Sequence, residues 1–255
     1  MPVCPRGALA LTEGELEVAW DRCELAGACV EICLPGALEM VGRHYSVEEV
    51  LEILEEDRIF YDESLGGVTF SGGEPFAQPG FLAELLDGCR ERDLPVVLDT
   101  CGHVDPVVFR EVGCRASALL FDLKMMDEAR HQEFTGVHNR WILQNLRWAA
   151  GGGGAERRPA LTVRIPLIPG INDDEANLRG SAHFLAGLVS PPPVDILPYH
   201  RLGVDKYERL GREYHLPDAT PPPGEGVECA ARLFEERGLV VTIRGEPHGH
   251  DREST

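Results

Sequence analysis

Two groups of residues in this 255-residue chain have the types and spacing to do chemistry. The first is cysteine: Cys4, Cys23, Cys29 and Cys33 fall within the first 44 residues, half of the chain's eight. The second is a scatter of polar residues that each follow a short apolar run. These are Ser71-Gly72-Gly73-Glu74, Asp99-Thr100, Asp122 with Lys124, Arg164, and His200. Thiolates at short spacings suit iron or zinc. Paired glycines at the end of a strand let main chain approach a ligand with no Cβ in the way. Carboxylates, an ammonium and a guanidinium beside exposed main chain suit a zwitterionic ligand with an amino acid end: carboxylates and carbonyls for its amine, Lys124 for its carboxylate. Each residue also has an ordinary structural role open to it. Asp99 could cap a helix, Lys124 could be solvated, His200 could sit satisfied in the core, and Arg164, mid-strand among apolar neighbours, must meet a carboxylate.

The elements that must position these residues can be read from periodicity. Ser46 and Glu49 form a capping box ahead of the stripe Val47, Val50, Leu51, Leu54. Val68–Phe70 is a strand that breaks at the Ser-Gly-Gly corner, and a helix from Pro79 buries Leu82, Leu85, Leu86 and Cys89. Further strands are expected at 95–98, 118–121, 161–165, 194–197 and 239–243. Helices are expected after Pro106, at 127–134, 139–150 and 174–188, and through Val227 and Phe234. A loop is expected from Pro198 to about Pro223. Six short strands alternating with helices call for a parallel sheet, in which the carboxyl ends of the strands converge on one face. All the singled-out polar residues lie at or just past such ends. No G-x-G-x-x-G follows a strand, and neither a Ser/His/Asp order nor H-E-x-x-H is present.

The cysteine-rich front is a different kind of sequence. The bacterial ferredoxin run is C-x2-C-x2-C-x3-C-P. Cys23, Cys29 and Cys33 fit its frame, but Ala26 stands at the second cysteine and Leu34 replaces the proline. Two copies of C-x-x-G-A-L, at Cys4 and Cys33, read as the ends of tandem half-repeats. Because the fourth cysteine of each run serves the other cluster, one cluster would draw on Cys23, Cys29 and Cys4, and Cys33 would be left alone. The alternative is four buried cysteines in a small irregular domain. The expected organisation is therefore 1–44 as the remnant of a two-cluster insert, 45–245 as the barrel, and 246–255 as a polar, disordered tail in which His248 and His250 bind nothing. The Gly151–Gly154 run reads as a surface loop.

Composition narrows the partners. A formal charge of −19 speaks against nucleic acid and anionic membrane surfaces. No apolar run approaches the roughly 18 residues a membrane helix needs. Cysteines used as thiols, with no signal peptide at the start, point to a reducing, cytoplasmic setting.

Taken together, S-G-G-E-P, D-T-C-G, F-D-L-K, H-x-x-x-T-G (His131 to Gly136), R-I-P-L-I-P-G-I-N-D and L-P-Y-H-R-L-G-x-x-K-Y, in this order, resemble the glycyl-radical enzyme activating enzymes. These are radical S-adenosylmethionine (SAM) proteins. The resemblance runs from about Ser46 to Ile243, and the front segment is similar to the ferredoxin-like insert of one branch. It implies a partial (β/α)6 barrel in which a [4Fe–4S] cluster reduces SAM to a 5′-deoxyadenosyl radical that takes hydrogen from a glycine of a partner enzyme. It also implies an electron donor such as flavodoxin or ferredoxin. By the same resemblance Gly72, Gly73 and Glu74 face the SAM amino group, Lys124 holds its carboxylate, and Arg164 and His200 lie against the ligand. Asp99, Thr100 and Asp122 match positions beside a monovalent cation. One departure dominates: the family's catalytic C-x3-C-x2-C occurs nowhere among these cysteines. The expectation is a chain that begins inside the insert, lacks the first strand and cluster loop, and does not start the reaction as it stands; the alternative is a non-catalytic relative that binds SAM or the partner.

Overall fold

The computed structural model describes residues 3–152 and 158–248. Gly153, Gly154, His250 and the rest of the tail lie outside the described residues. The chain divides into two compact units. The smaller comprises residues 1–46 with 202–217, and the larger 47–201 with 218–255.

In the smaller unit, β1 (Leu9–Thr12) and β2 (Glu15–Val18) form an antiparallel hairpin. Its two-residue turn, Glu13-Gly14, has φ values of 53° and 92°, the positive pair that a tight hairpin requires. A single turn, α1 (Ala28–Glu31), follows. The half-repeats are visible as geometry. Gly7 N–H donates to Cys4 O and Gly36 N–H to Cys33 O, both at 3.0 Å. Each turn then folds back so that a main-chain N–H meets the thiol: Ala8 to Cys4 Sγ and Leu38 to Cys33 Sγ, both at 3.3 Å. The expected loop after Pro198 contains a short helix, and its continuation lies against Trp20, since a Cβ on Gly211 would fall 1.8 Å from the indole Nε1.

The larger unit opens with α2 (Val47–Glu56) and α3 (Arg58–Ser64), then alternates strand and helix. The elements are β3 (Val68–Phe70), a short 3-10 turn at Pro75–Ala77, α4 (Pro79–Glu91), β4 (Val96–Thr100), α5 (Pro106–Gly113) and β5 (Ala118–Asp122). There follow α6 (Glu128–Thr135), α7 (Arg140–Ala149), β6 (Ala160–Leu167), α8 (Glu175–Ala186) and β7 (Val194–Pro198). After α9 (Val204–Arg209), which belongs to the smaller unit, come α10 (Gly224–Glu235), β8 (Val241–Ile243) and β9 (Glu246–Pro247).

Strands β3 to β8 pair in parallel and in sequence order, and β9 closes the far edge antiparallel to β8. An order with no reversal, joined by right-handed crossovers, puts every connecting helix on one side of the sheet. The burial pattern agrees. Leu98, Leu119, Phe121, Val163, Ile165 and Ile196 are fully buried and join one core with Leu86, Leu146, Leu185 and Phe234 from the helices. Each such side chain contributes about 2 kcal/mol of burial. The alternate positions are only half-buried and carry Asp99, Asp122, Arg164 and Asp195. The fold is mixed α/β with a mostly parallel, open sheet, singly wound rather than doubly wound.

Beneath the strand ends an aromatic cluster packs around Phe109. Its ring centre lies 5.1 Å from Phe76, 5.9 Å from Phe121 and 5.7 Å from Trp148. The disordered-tail expectation is corrected for residues 246–248. Two β9 residues pair with β8, and His248 is held by Glu228 and by Glu235 Oε1 at 2.8 Å.

Candidate functional site

The site is built along the carboxyl-terminal parts of four adjacent strands. Arg164 lies not at the strand end as expected but three residues short of it, since β6 continues to Leu167. Parallel register sets Asp122 of β5 directly beside Arg164 of β6. The guanidinium reaches Asp122 Oδ1 through Nε at 3.0 Å and Nη2 at 2.9 Å, and its Nη2 also bonds Asp99 of β4. Burial works against the charge on Arg164, but Asp122 and Asp99 outweigh it and raise its pKa. Ser71, at the end of β3, donates to Asp99 Oδ2 at 3.0 Å. Lys124 Nζ stands 3.6 Å from Asp122 Oδ2, with its side chain 36% exposed. One connected network thus joins Ser71, Asp99, Arg164, Asp122 and Lys124.

Glu74 does something else. Its Oε1 accepts from the Thr100 hydroxyl at 2.6 Å and from Phe76 N–H at 3.2 Å, while Oε2 accepts from Cys101 N–H at 2.9 Å. The carboxylate ties the corner to the end of β4 and caps the 3-10 turn. Main chain at Gly72 and Gly73 is what the corner leaves exposed. Gly72 has φ +117°, a conformation side chains avoid, and a Cβ on either glycine meets nothing within 4 Å. The glycines face open space rather than packed chain.

Alternation on β4 sends Thr100 to the face opposite Asp99, where it is 2% exposed. Asp99 and Asp122 share Arg164 rather than a common point with Thr100. His200 lies exposed just past β7, and no hydrogen bond or ion pair among the described residues joins it to the network. Cys101, in D-T-C-G, is a half-buried free thiol. Burial, then the hydrogen bond and charge of Glu74, push its pKa up to about 11. Gly102, the last residue of that segment, has φ +67°, and a Cβ there would fall 2.1 Å from the Phe121 ring.

Four buried asparagines escaped the sequence reading. Asn145 Nδ2 donates to Gly102 O and Val104 O, both at 2.9 Å. Asn139 Nδ2 donates to Met125 O and Met126 O at 3.1 and 2.8 Å. Asn172 Nδ2 reaches Lys124 O at 3.0 Å and Pro166 O at 2.6 Å, and Asn177 Nδ2 reaches Asn172 O at 2.9 Å. These amides peg the loops that carry Lys124 and Gly102. For Asn145 and Asn177 the signal in the sequence is a polar amide inside a helix, whereas Asn139 and Asn172 lie outside the helices, where periodicity says nothing. The H-x-x-x-T-G segment also has a structural account. His131 Nδ1 contacts Val137 O at 2.7 Å and Thr135 Oγ1 at 3.0 Å, fastening the end of α6 where Gly136 turns left-handed.

Of the four front cysteines, all are free thiols. Cys4 has its pKa lowered by main-chain hydrogen bonds, that from Ala8 first. Cys4, Cys23 and Cys29 line a common cavity in the smaller unit, and Cys33 does not. Among the described residues no three His, Cys, Asp or Glu side chains gather around a point that one metal ion could occupy. No helix among them is long and apolar enough to cross a membrane.

Comparison with known proteins bears on the family of the chain. The radical SAM superfamily model matches residues 32–179. The chain is 37% identical to the choline trimethylamine-lyase activating enzyme of Oleidesulfovibrio alaskensis, covering 92% of this chain and 77% of that one. It is 36% identical to the trans-4-hydroxy-L-proline dehydratase activating enzyme of Clostridioides difficile, covering 95% and 80%. Among solved structures it resembles a domain of the pyruvate-formate lyase-activating enzyme of Bacteroides vulgatus, with TM-score 0.58 and 35% identity over 70% of this chain and 98% of that one. A radical SAM methyltransferase of Sphaerobacter thermophilus, at 19% identity and TM-score 0.59 over 80% of this chain and 59% of that one, shares the fold. The chain belongs to the radical SAM superfamily, among the glycyl-radical enzyme activating enzymes.

Proposed function

We propose that the face formed by Gly72, Gly73, Lys124 and the Asp99–Arg164–Asp122 network binds SAM for the activation of a glycyl-radical enzyme in the cytoplasm. The observation that carries this is the exposed glycine corner and a half-exposed ammonium at the ends of neighbouring parallel strands, held by one ion network. The SAM amino group would meet main chain at Gly72 and Gly73, and its carboxylate would meet Lys124. Glu74 acts by fastening that main chain to Thr100 and Cys101, and His200 would close over the ligand from β7. A monovalent cation at this face would compete with Arg164 for Asp99 and Asp122. SAM, when reductively cleaved, supplies the carbon radical that takes hydrogen from a partner's glycine.

The catalytic cluster does not fit the residues present. No C-x3-C-x2-C occurs in the 255 residues, and Cys101, beside the face, is a half-buried thiol with a raised pKa rather than a thiolate. The reading therefore stops at binding: these residues hold SAM, and cleavage with electrons from a flavodoxin or ferredoxin requires a cysteine triad that they do not supply. A non-catalytic role, binding SAM or a glycyl-radical enzyme without chemistry, is the second reading, and Ala26 in place of a cysteine in the front run favours it.

Titration calorimetry with SAM tests the binding. Binding that weakens at least tenfold in Lys124→Ala, about 1.4 kcal/mol, is expected. No heat with the folded chain, or an unchanged affinity in the variant, overturns the assignment. Anaerobic iron–sulfur reconstitution followed by a 5′-deoxyadenosine assay tests the chemistry: no product is expected, and product from this chain would refute the limit to binding.

A further inference from the structure

Lys124 stands on the loop that leaves β5, just past the strand's last residue, Asp122. It lies beyond the ladder that fixes Asp122 beside Arg164, and side-chain amides hold its main chain instead. The Lys124 carbonyl accepts from Asn172 Nδ2 at 3.0 Å and from Asn177 Nδ2 at 3.4 Å. Further along the loop, Met126 N–H donates to Asn177 Oδ1 at 2.9 Å. The two asparagines are themselves joined, Asn177 Nδ2 donating to Asn172 O at 2.9 Å.

Asn172 is 1% exposed, and both polar atoms of its amide are engaged. Nδ2 donates to Lys124 O and to Pro166 O, the latter at 2.6 Å, and Oδ1 accepts from Ile168 N–H at 2.8 Å. The side chain therefore ties the end of β6 to the loop after β5, across 48 residues of sequence. A carboxamide supplies two donors and an acceptor at one side-chain end. Aspartate has the same shape but would set an oxygen against two carbonyls.

The consequence falls on Lys124. Its ammonium is 3.6 Å from Asp122 Oδ2 and its side chain is 36% exposed, so the head group is open to a ligand above a fixed main chain. A lysine on a loose loop would have to order loop and side chain together on meeting a carboxylate. A pegged loop leaves the side-chain torsions to order, and it sets how far the ammonium reaches.

We propose that Asn172, seconded by Asn177, is a positioning residue for the carboxylate of the ligand and acts by presenting Lys124. The assignment rests on the reading of this face as a SAM site, and adds which part of SAM the asparagines govern. The defect on removing them depends on the ligand. Recognition of the carboxylate suffers, whereas recognition of the amine, sulfonium and adenosine does not.

The test is titration calorimetry of the whole folded chain with SAM and with decarboxylated SAM, which keeps the amine, sulfonium and adenosine. The wild type should bind the decarboxylated ligand about tenfold more weakly, a preference that Lys124→Ala abolishes. Asn172→Ala should weaken SAM about tenfold and decarboxylated SAM by less than about twofold. Added to Lys124→Ala, it should weaken SAM by less than about twofold more, because the group it presents is gone. Asn177→Ala leaves the Asn172 bonds to Lys124 and Pro166 in place. It should show the same pattern at smaller size, and it carries the test if Asn172→Ala does not fold. A merely structural loss would weaken both ligands alike, or would add in full to Lys124→Ala. Either result, with the wild-type preference present, overturns the positioning role and leaves the SAM reading standing. A wild type that binds neither ligand, or both alike, overturns the assignment of Lys124 to the carboxylate and the positioning role with it.

Discussion

The two units solve the problem of gathering reactive groups in opposite ways. In the larger one the groups come from strands far apart in sequence: Arg164 meets Asp122 and Asp99, which lie 42 and 65 residues away. In the smaller one two of the four sulfurs are held by their own turns, Cys4 by Ala8 and Cys33 by Leu38. A network made by register depends on the whole sheet being in place, whereas a turn carries its thiol whatever lies elsewhere. Defects at the strand ends should therefore cost global stability, and defects at the cysteines should cost little but local chemistry.

The largest test of that contrast is Arg164→Ala. It leaves Asp99 and Asp122 facing each other with side chains only 20% exposed, and should cost roughly 3–4 kcal/mol in urea unfolding. Cys29→Ser, by contrast, should stay within about 0.5 kcal/mol for the chain without iron. Equal losses would erase the distinction. Gly102→Ala comes next, at about 2–3 kcal/mol, since it combines a positive φ with intrusion on the Phe121 ring. A smaller loss, about 2 kcal/mol, is expected for Asn145→Ala, which strands the carbonyls of Gly102 and Val104.

The smallest effect is a pair of opposed pH slopes within the larger unit. Glu228 and Glu235 raise the pKa of His248 above its ordinary 6.5, so its contribution is complete below pH 6.5 and is lost as pH rises through the folded value. Burial lowers that of His131, so its neutral form favours the fold above pH 6.5 and stability falls as pH drops. His248→Gln should flatten the alkaline side of the stability profile, and His131→Gln the acidic side. A profile unchanged in both variants would remove the histidines from the account.

Periodicity and turn chemistry made the larger unit legible. Leu82, Leu85, Leu86 and Cys89 are buried on α4 as their spacing requires, and α5 begins at Pro106. The convergence of Asp99, Asp122, Lys124 and Arg164 followed from strand order alone. What escaped depends on distant partners or on brevity. Helix α9 and strand β9 are too short to show a period, and the β1–β2 hairpin is announced only by Glu13-Gly14. The family resemblance places Glu74 against the SAM amino group together with Gly72 and Gly73. The three donors to Glu74 come from Phe76, Thr100 and Cys101, and the latter two are invisible until β4 lies beside β3. The resemblance sets Thr100 with Asp99 and Asp122 beside a cation, whereas adjacency in a strand puts the side chains of Asp99 and Thr100 on opposite faces.

The engagement of Glu74 has a further consequence. With both oxygens committed to donors, it works as a buckle between two loops rather than as a charge offered to solvent. Glutamine would turn one acceptor into a donor aimed at another donor, and aspartate would fall short by a methylene. What remains for an incoming cation at the corner is peptide dipole, which neither gains nor loses a proton across the working range of a cell. On the protein's side, a grip of that kind rests on no ionisable side chain.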